Sequence, residues 1–376
     1  MEAYREGIDC IGFEINPFAA LVCKVKLESY DIALEPLKDA VRSYEQFMEH
    51  VEGGLDNADV AMPRSSPPSG FKSREPFFAP AVEKKVLYTI DFIQDLPVAI
   101  QEVFRVALAS VLVEVSNYSY EPSLGSRSAA GKSLILDAPV GQIVGNKLHL
   151  MVEDIAILQR EVGLKLRKPT WQLYSNSFFD ARNSISPDTV DLVVTSPPYM
   201  NNYHYVRNTR PQLFWTSLVT SPKDLKNLEH NNFGKFWQTV RASAPTPLDF
   251  SLASLEGQIA EIQQLNGDRG VYGGKGWANY VTTYMNDLYR FCGLLSTFLR
   301  VGGTAVVVVG NSVIQGREVK VEEYLAEIAA LHNLSVVGVL KLRNRVGSSI
   351  VNSGSRISGE TKPSLYDAAV ILRRSY

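Results

Sequence analysis

Ser196-Pro197-Pro198-Tyr199 gathers three capacities in four residues: a side-chain hydroxyl, a carbonyl held by consecutive prolines, and an aromatic face. Proline fixes φ at about −65° and carries no N–H, so the carbonyl of Pro197 has a set direction and no competing donor beside it. Two oxygen acceptors next to a stacking plane suit a planar heterocycle that bears an exocyclic amino group. Such a nitrogen is a poor nucleophile because its lone pair is delocalised into the ring. Accepting hydrogen bonds from its N–H groups localises that pair, and a tyrosine can stack on a base turned out of a duplex. The chain carries an internal control at Ser66-Pro67-Pro68-Ser69, which lacks the aromatic and lies in the Gly, Pro and Ser-rich passage Arg64–Gly70. That copy reads as a loop.

The elements around the later copy explain the difference. Thr189–Thr195 is a β-branched, apolar run that ends abruptly at the double proline, which predicts a buried strand with the tetrapeptide at its carboxyl end, where open α/β sheets bind ligands. Ile8–Ile15 predicts another strand, running into Asn16-Pro17 and a helix through Leu27. Beyond Trp171–Tyr174, a third strand, spacing of Tyr284, Leu288, Phe291 and Leu295 predicts a helix over Asn279–Leu299. Val301-Gly302-Gly303 leads to a buried strand, Thr304–Val309. A helix at Val321–Leu331 and strands at Ser335–Leu342 and Ala368–Arg373 close an α/β sheet. Between them lies a mostly helical stretch, with helical patterning at Leu37–His50 and over Val82–Val115, broken at Pro97. Ser126–Ser133, with Arg127 and Lys132, reads as an exposed basic loop, and Gly267–Gly276 as a flexible glycine-rich loop between helices. Three segments follow: 1–30, a strand and helix; 31–168, the helical insertion; and 169–376, bearing the tetrapeptide.

Composition sets outer bounds. The 376 residues are 45% hydrophobic and 21% charged, the balance of a globular protein. No apolar run approaches a membrane span and the first residues lack a signal-peptide core, which places the chain in the cytoplasm. Cys10, Cys23 and Cys292 are isolated and form no CxxC pair, so neither a metal site nor a disulfide framework is expected. A formal net charge of −2 advertises no polyanion partner, so a nucleic-acid surface must come from local basic clusters.

Asp191 to Asn202, reading Asp-Leu-Val-Val-Thr-Ser-Pro-Pro-Tyr-Met-Asn-Asn, resembles the catalytic motif of the amino-group DNA methyltransferases, the cytosine-N4 and adenine-N6 enzymes. The resemblance implies a Rossmann-like α/β sheet, S-adenosyl-L-methionine as cofactor and double-stranded DNA as partner, with Ser196, Pro197, Pro198 and Tyr199 as the catalytic residues. Phe13-Glu14-Ile15-Asn16-Pro17 is similar to the family's cofactor strand and puts Glu14, with Asn16 beside it, on the ribose hydroxyls. Phe179-Asp180-Ala181-Arg182 resembles the next element and puts Asp180 on the cofactor's adenine, with Phe179 where a glycine is usual. Serine at 196 resembles the cytosine-N4 form more than the aspartate form of adenine enzymes. Methylation at cytosine carbon 5 needs a cysteine, usually in a Pro-Cys pair, and no cysteine here follows a proline.

The family opens its sheet with a strand and an FxGxG turn, and Met1–Gly7 resembles only the end of the helix that follows. A second polypeptide supplying that strand, a truncated start, and a remnant that no longer binds cofactor are the three accounts of this. Arg207 and Arg210, interleaved with Tyr203, His204, Tyr205 and Trp215, form one candidate DNA surface, and Arg343 and Arg345, continuing to Arg356 and Lys362, another. The leading expectation is an enzyme of a restriction-modification-like system. A non-catalytic DNA-binding or assembly subunit and an RNA amino-group methyltransferase are the alternatives.

Overall fold

The computed structural model describes residues 1–54, 61–121, 123–162, 169–200, 203–345 and 364–376. The chain divides into two compact units, one of 1–176 with 205–228, the other of 177–204 with 229–376. This grouping differs from the sequence-based segments: the opening strand and helix join the helical stretch, and the tetrapeptide segment sends 169–176 and 205–228 to that unit as well.

In the first unit, β1 (Cys10–Phe13) pairs in parallel with β2 (Trp171–Tyr174), Cys10 opposite Trp171. β1 runs into α1 (Pro17–Glu28) through Asn16, whose Oδ1 accepts from the N–H groups of Phe18 and Ala19 at 3.0 and 3.4 Å, the N-cap that the Asn-Pro pair predicts. The helical stretch contains α2 (Leu34–Gly54), α3 (Pro80–Gln94), α4 (Val98–Val111) and α5 (Val140–Val162), with the α3–α4 break at Pro97. Their facing stripes bury Leu37, Tyr44, Met48, Val86, Phe104 and Leu148 almost completely. Helix α5 was not legible in the sequence because Gly141 and Gly145 lower helix propensity. Those glycines are what lets it approach α2: a Cβ at 141 would lie 2.6 Å from Met48 Cβ.

The second unit is built on a four-stranded sheet of β3 (Val190–Thr195), β4 (Leu299–Gly310), β5 (Leu334–Asn344) and β6 (Tyr366–Arg374), in the order β3-β4-β6-β5. β3 runs parallel to β4, with Val194 opposite Val306, while β6 is antiparallel to both its neighbours. Helix α6 (Gly274–Phe298) packs on β4, and α7 (Val321–Ala330) packs across β4, β5 and β6. Ala305, Val307 and Val309 are fully buried on one face of β4, whereas Leu192 and Val194 of β3 are 55% and 69% exposed. Among the described residues β3 has β4 as its one strand neighbour.

The glycine-rich run corrects one expectation. It is not a flexible loop: Gly267–Tyr272 forms a 3-10 turn and α6 begins at Gly274. A Cβ at Gly273, Gly274 or Gly276 would sit 2.1, 2.0 and 2.0 Å from the carbonyl oxygens of Asn266, Ile262 and Val271, so these glycines serve close packing. Among the described residues no helix is long and apolar enough to cross a membrane.

Candidate active site

Ser196-Pro197-Pro198-Tyr199 leaves the end of β3 as predicted, but the strand expected to be buried has no buried residue, because among the described residues it pairs on one side only. Ser196 is exposed, Pro197 is buried, and Pro198 and Tyr199 are half-buried. The hydroxyls of Ser196 and Tyr199 lie 3.4 Å apart, at the long limit of a hydrogen bond, with Ser196 as donor. The loop is tied down on both sides of Tyr199. The carbonyl of Pro198 accepts from Tyr284 Oη of α6 at 2.9 Å, and the carbonyl of the fully buried Met200 accepts from the Ser312 hydroxyl.

One side of the Tyr199 ring faces the guanidinium of Arg345, 5.4 Å from its centroid, a cation–π contact. Room for both groups comes from Gly310 at the end of β4, where a Cβ would meet Arg345 Nη2 at 2.9 Å and Tyr199 Cδ2 at 3.0 Å. Arg345 also donates to the carbonyl of Asn311 and faces Asp367 Oδ1 at 3.3 Å, with Asp367 only 2% exposed. Burial lowers the guanidinium's pKa, and the Asp367 charge opposes that shift. Arg345 is therefore built into the loop's support. Arg343 holds the other Asp367 oxygen at 2.7 Å through a side chain that remains 77% exposed.

Asp180 lies exposed in the 3-10 turn Phe178–Asn183, its N–H donating to the carbonyl of Ser177. Phe179, in the place of the usual glycine, is buried beneath Arg290, which stacks on its ring at 4.3 Å and donates to its carbonyl at 3.1 Å. His204 pairs with Glu229 at 3.1 Å and presents its ring to the edge of Phe236.

The remaining predicted residues belong to the first unit. Glu14, half-buried just past the end of β1, accepts the N–H of Asn16 at 2.8 Å through Oε1. Burial raises its pKa, and backbone hydrogen bonds from Asn16 and Ile15 hold it back. A carboxylate at the end of a strand fits the demand for an acceptor of hydroxyl hydrogens. Asn16 is spent as the helix cap, with its Nδ2 donating to Thr209 Oγ1 at 2.8 Å. Arg207 donates to the carbonyl of Leu124 at 3.1 Å, while Arg210 lies over the Phe71 ring at 4.9 Å and donates to the carbonyl of Lys72. Trp215, a predicted neighbour of the DNA surface, is 4% exposed in the helical core. Asn201, Asn202, Arg356 and Lys362 lie outside the described residues.

Sequence reasoning missed Tyr284, Ser312, Gly310 and Asp367. One signal was present: Tyr284 falls in the buried stripe of α6, and a buried tyrosine hydroxyl calls for a polar partner.

No protein-family model matches the sequence, and no curated protein matches it. Two solved structures that align with part of the chain are of a protein from Thermus thermophilus, provisionally named a DNA modification methylase. The selenomethionine derivative is 12% identical, covering 54% of this chain and 51% of that one, with a TM-score of 0.25. The form complexed with S-adenosyl-L-methionine is 14% identical, covering 54% and 52%, also with a TM-score of 0.25. This chain thus aligns with about half the length of those structures.

Proposed function

We propose that this chain carries the catalytic loop of an S-adenosyl-L-methionine-dependent DNA methyltransferase that acts on an exocyclic amino group, cytosine N4 ahead of adenine N6, within a restriction-modification-like system. The observation that carries the reading is the loop itself. An exposed Ser196 hydroxyl and a half-buried Tyr199 ring stand at the carboxyl end of a sheet strand, and Tyr199 is supported on one side by Arg345. The carbonyl of Pro198 is already occupied by Tyr284, which leaves the Pro197 carbonyl as the backbone acceptor for the amino group, alongside Ser196 Oγ.

The cofactor supplies an electrophilic methyl group. Glu14 would accept its ribose hydroxyls, and Asp180 its adenine amino group. The chain's own residues hold the target. Ser196 and the Pro197 carbonyl accept the two N–H hydrogens and free the nitrogen lone pair, and Tyr199 stacks on the extruded base. Arg343, whose side chain is far more exposed than that of Arg345, would meet a phosphate.

Among the described residues β3 pairs on one edge only, and Leu192 and Val194 are exposed, which supports a further strand pairing there, from a second polypeptide or another segment of the protein. Cofactor binding by the 376-residue chain on its own is then weak, and micromolar affinity in calorimetry would count against that part of the reading.

The test is nucleoside mass spectrometry of DNA incubated with the chain, its strand-donating partner and cofactor labelled on the methyl group. N4-methylcytosine is the expected product and N6-methyladenine would reassign the base. Label confined to cytosine carbon 5 or to RNA, or no label at all, overturns the proposal.

A further inference from the structure

We infer that Tyr284 is a positioning residue for the loop: its hydroxyl fixes ψ of Pro198, a backbone torsion between the Pro197 acceptor and the Tyr199 ring that the prolines leave free. The rings of Pro197 and Pro198 lock both φ angles, and a proline at the next position also restricts ψ of Ser196 and of Pro197. No proline follows Pro198, so its ψ escapes the added restriction that a following proline imposes. That torsion aims the Pro198 carbonyl and sets where the chain carries Tyr199. The Tyr284 hydroxyl holds this carbonyl at 2.9 Å from a position 86 residues away. On the far side of Tyr199, Ser312 holds the carbonyl of Met200. The stacking residue thus sits between two tethered peptide groups.

Tyr284 is itself firmly seated. The side chain is 1% exposed, and a buried phenol without a partner is costly. Its ring is covered by Gly234, in the left-handed region at φ +64°, where a Cβ would lie 3.1 Å from the ring. Phe233 meets it edge-on at 5.5 Å. One helical turn along α6, Asp287 accepts the Gly234 N–H at 2.9 Å and lies 4.0 Å from Lys235 Nζ. The same helix face therefore secures both the catalytic loop and the glycine that seats the tyrosine over it.

The catalytic consequence rests on the methyl-transfer reading, but the geometry can be tested apart from it. Pro198-Tyr199 is the one Pro-Tyr pair in the sequence. Full-length chain labelled with carbonyl-carbon-13 proline and nitrogen-15 tyrosine therefore gives a single carbonyl–amide cross-peak, reporting both sides of this peptide bond. Tyr284→Phe is expected to move the Pro198 carbonyl resonance upfield and broaden the Tyr199 amide. It should lower kcat about tenfold, the worth of one hydrogen bond, with KM for the cofactor unchanged. Combined with Tyr199→Ala, it should lose no more than Tyr199→Ala alone. Gly234→Ala, which displaces the ring instead of removing the hydroxyl, should shift the cross-peak the same way and covers the case in which Tyr284→Phe does not fold. An unmoved cross-peak overturns the inference whatever the activity. A moved cross-peak with wild-type kcat overturns its catalytic half. A moved cross-peak in a chain whose wild type transfers no methyl supports the tether and overturns the reaction assigned to it.

Discussion

The chain contains Ser-Pro-Pro twice, and the two copies are held by different means. At Ser66-Pro67-Pro68 the second proline's carbonyl accepts the N–H of Phe71 at 3.0 Å, a local turn, and Pro67 is exposed. At Ser196-Pro197-Pro198 the corresponding carbonyl accepts the hydroxyl of Tyr284, and Pro197 is buried. A local turn satisfies its own carbonyl without a hydrogen bond from a distant side chain. A loop whose carbonyls are met by distant side chains has its conformation dictated by the sheet and helix beside it, as a site that must hold reacting atoms requires. Proline content makes both segments stiff, but only the second is aimed.

The largest effect should separate the copies outright. On the proposed reading, Ser196→Ala removes an acceptor for the amino group, and Tyr199→Ala removes the stacking face. Each should lower kcat by about a hundredfold, in line with the loss of one preorganised polar group, with little change in melting temperature. Ser66→Ala should leave steady-state methyl transfer unchanged.

Next in size is the support behind Tyr199. Arg345→Met removes a buried guanidinium from the nearly inaccessible Asp367 and should cost about 3 kcal/mol in denaturant unfolding. Arg343→Ala, at the exposed end of the same cluster, should cost below about 1 kcal/mol. Equal costs would mean that the cluster is a surface network.

The turn copy has its own fixed point at Gly70, where a Cβ would meet the Thr220 carbonyl oxygen at 2.4 Å and Phe214 Cε1 at 2.7 Å. Gly70→Ala should destabilise the first unit by about 2 kcal/mol through overpacking while sparing kcat per folded molecule. A selective loss of kcat would erase the distinction drawn between the copies.

The smallest effect is a pH dependence in the second unit. Burial lowers the pKa of His332 below its usual 6.5, against a backbone hydrogen bond with Tyr289 that raises it. The folded state thus favours the neutral ring. Its stabilisation is complete above the unfolded pKa and is lost as pH falls through the folded value. Melting curves below about pH 6.5 should show this loss, and His332→Gln should flatten it.

Much of the sheet was legible because its strands are β-branched runs: Thr189–Thr195 lies within one residue of β3, while Thr304–Val309 covers only the second half of β4, which begins at Leu299. The expected strand Ile8–Ile15 shortened to Cys10–Phe13, the part that β2 pairs with. Helix α5 and the glycines that open α6 were not legible, since there tertiary packing decides against local propensity. At the site, the tetrapeptide itself could be read from residue types. Its supports could not, because Tyr284, Ser312 and Arg345 reach it from other elements and carry no local motif. The arginines show the same limit: Arg207 and Arg210, expected to contact DNA, donate to backbone carbonyls, and Arg210 lies over an aromatic ring, partners that sequence spacing does not reveal.

The most direct measurement compares rates of labelled methyl incorporation into DNA by the wild type, Ser66→Ala and Ser196→Ala, each assembled with the strand-donating partner proposed above. Equal rates for the first two and a loss of about a hundredfold in the third are predicted. Full activity in Ser196→Ala, or the same loss in both serine variants, would contradict the assignment of chemistry to the loop that leaves β3.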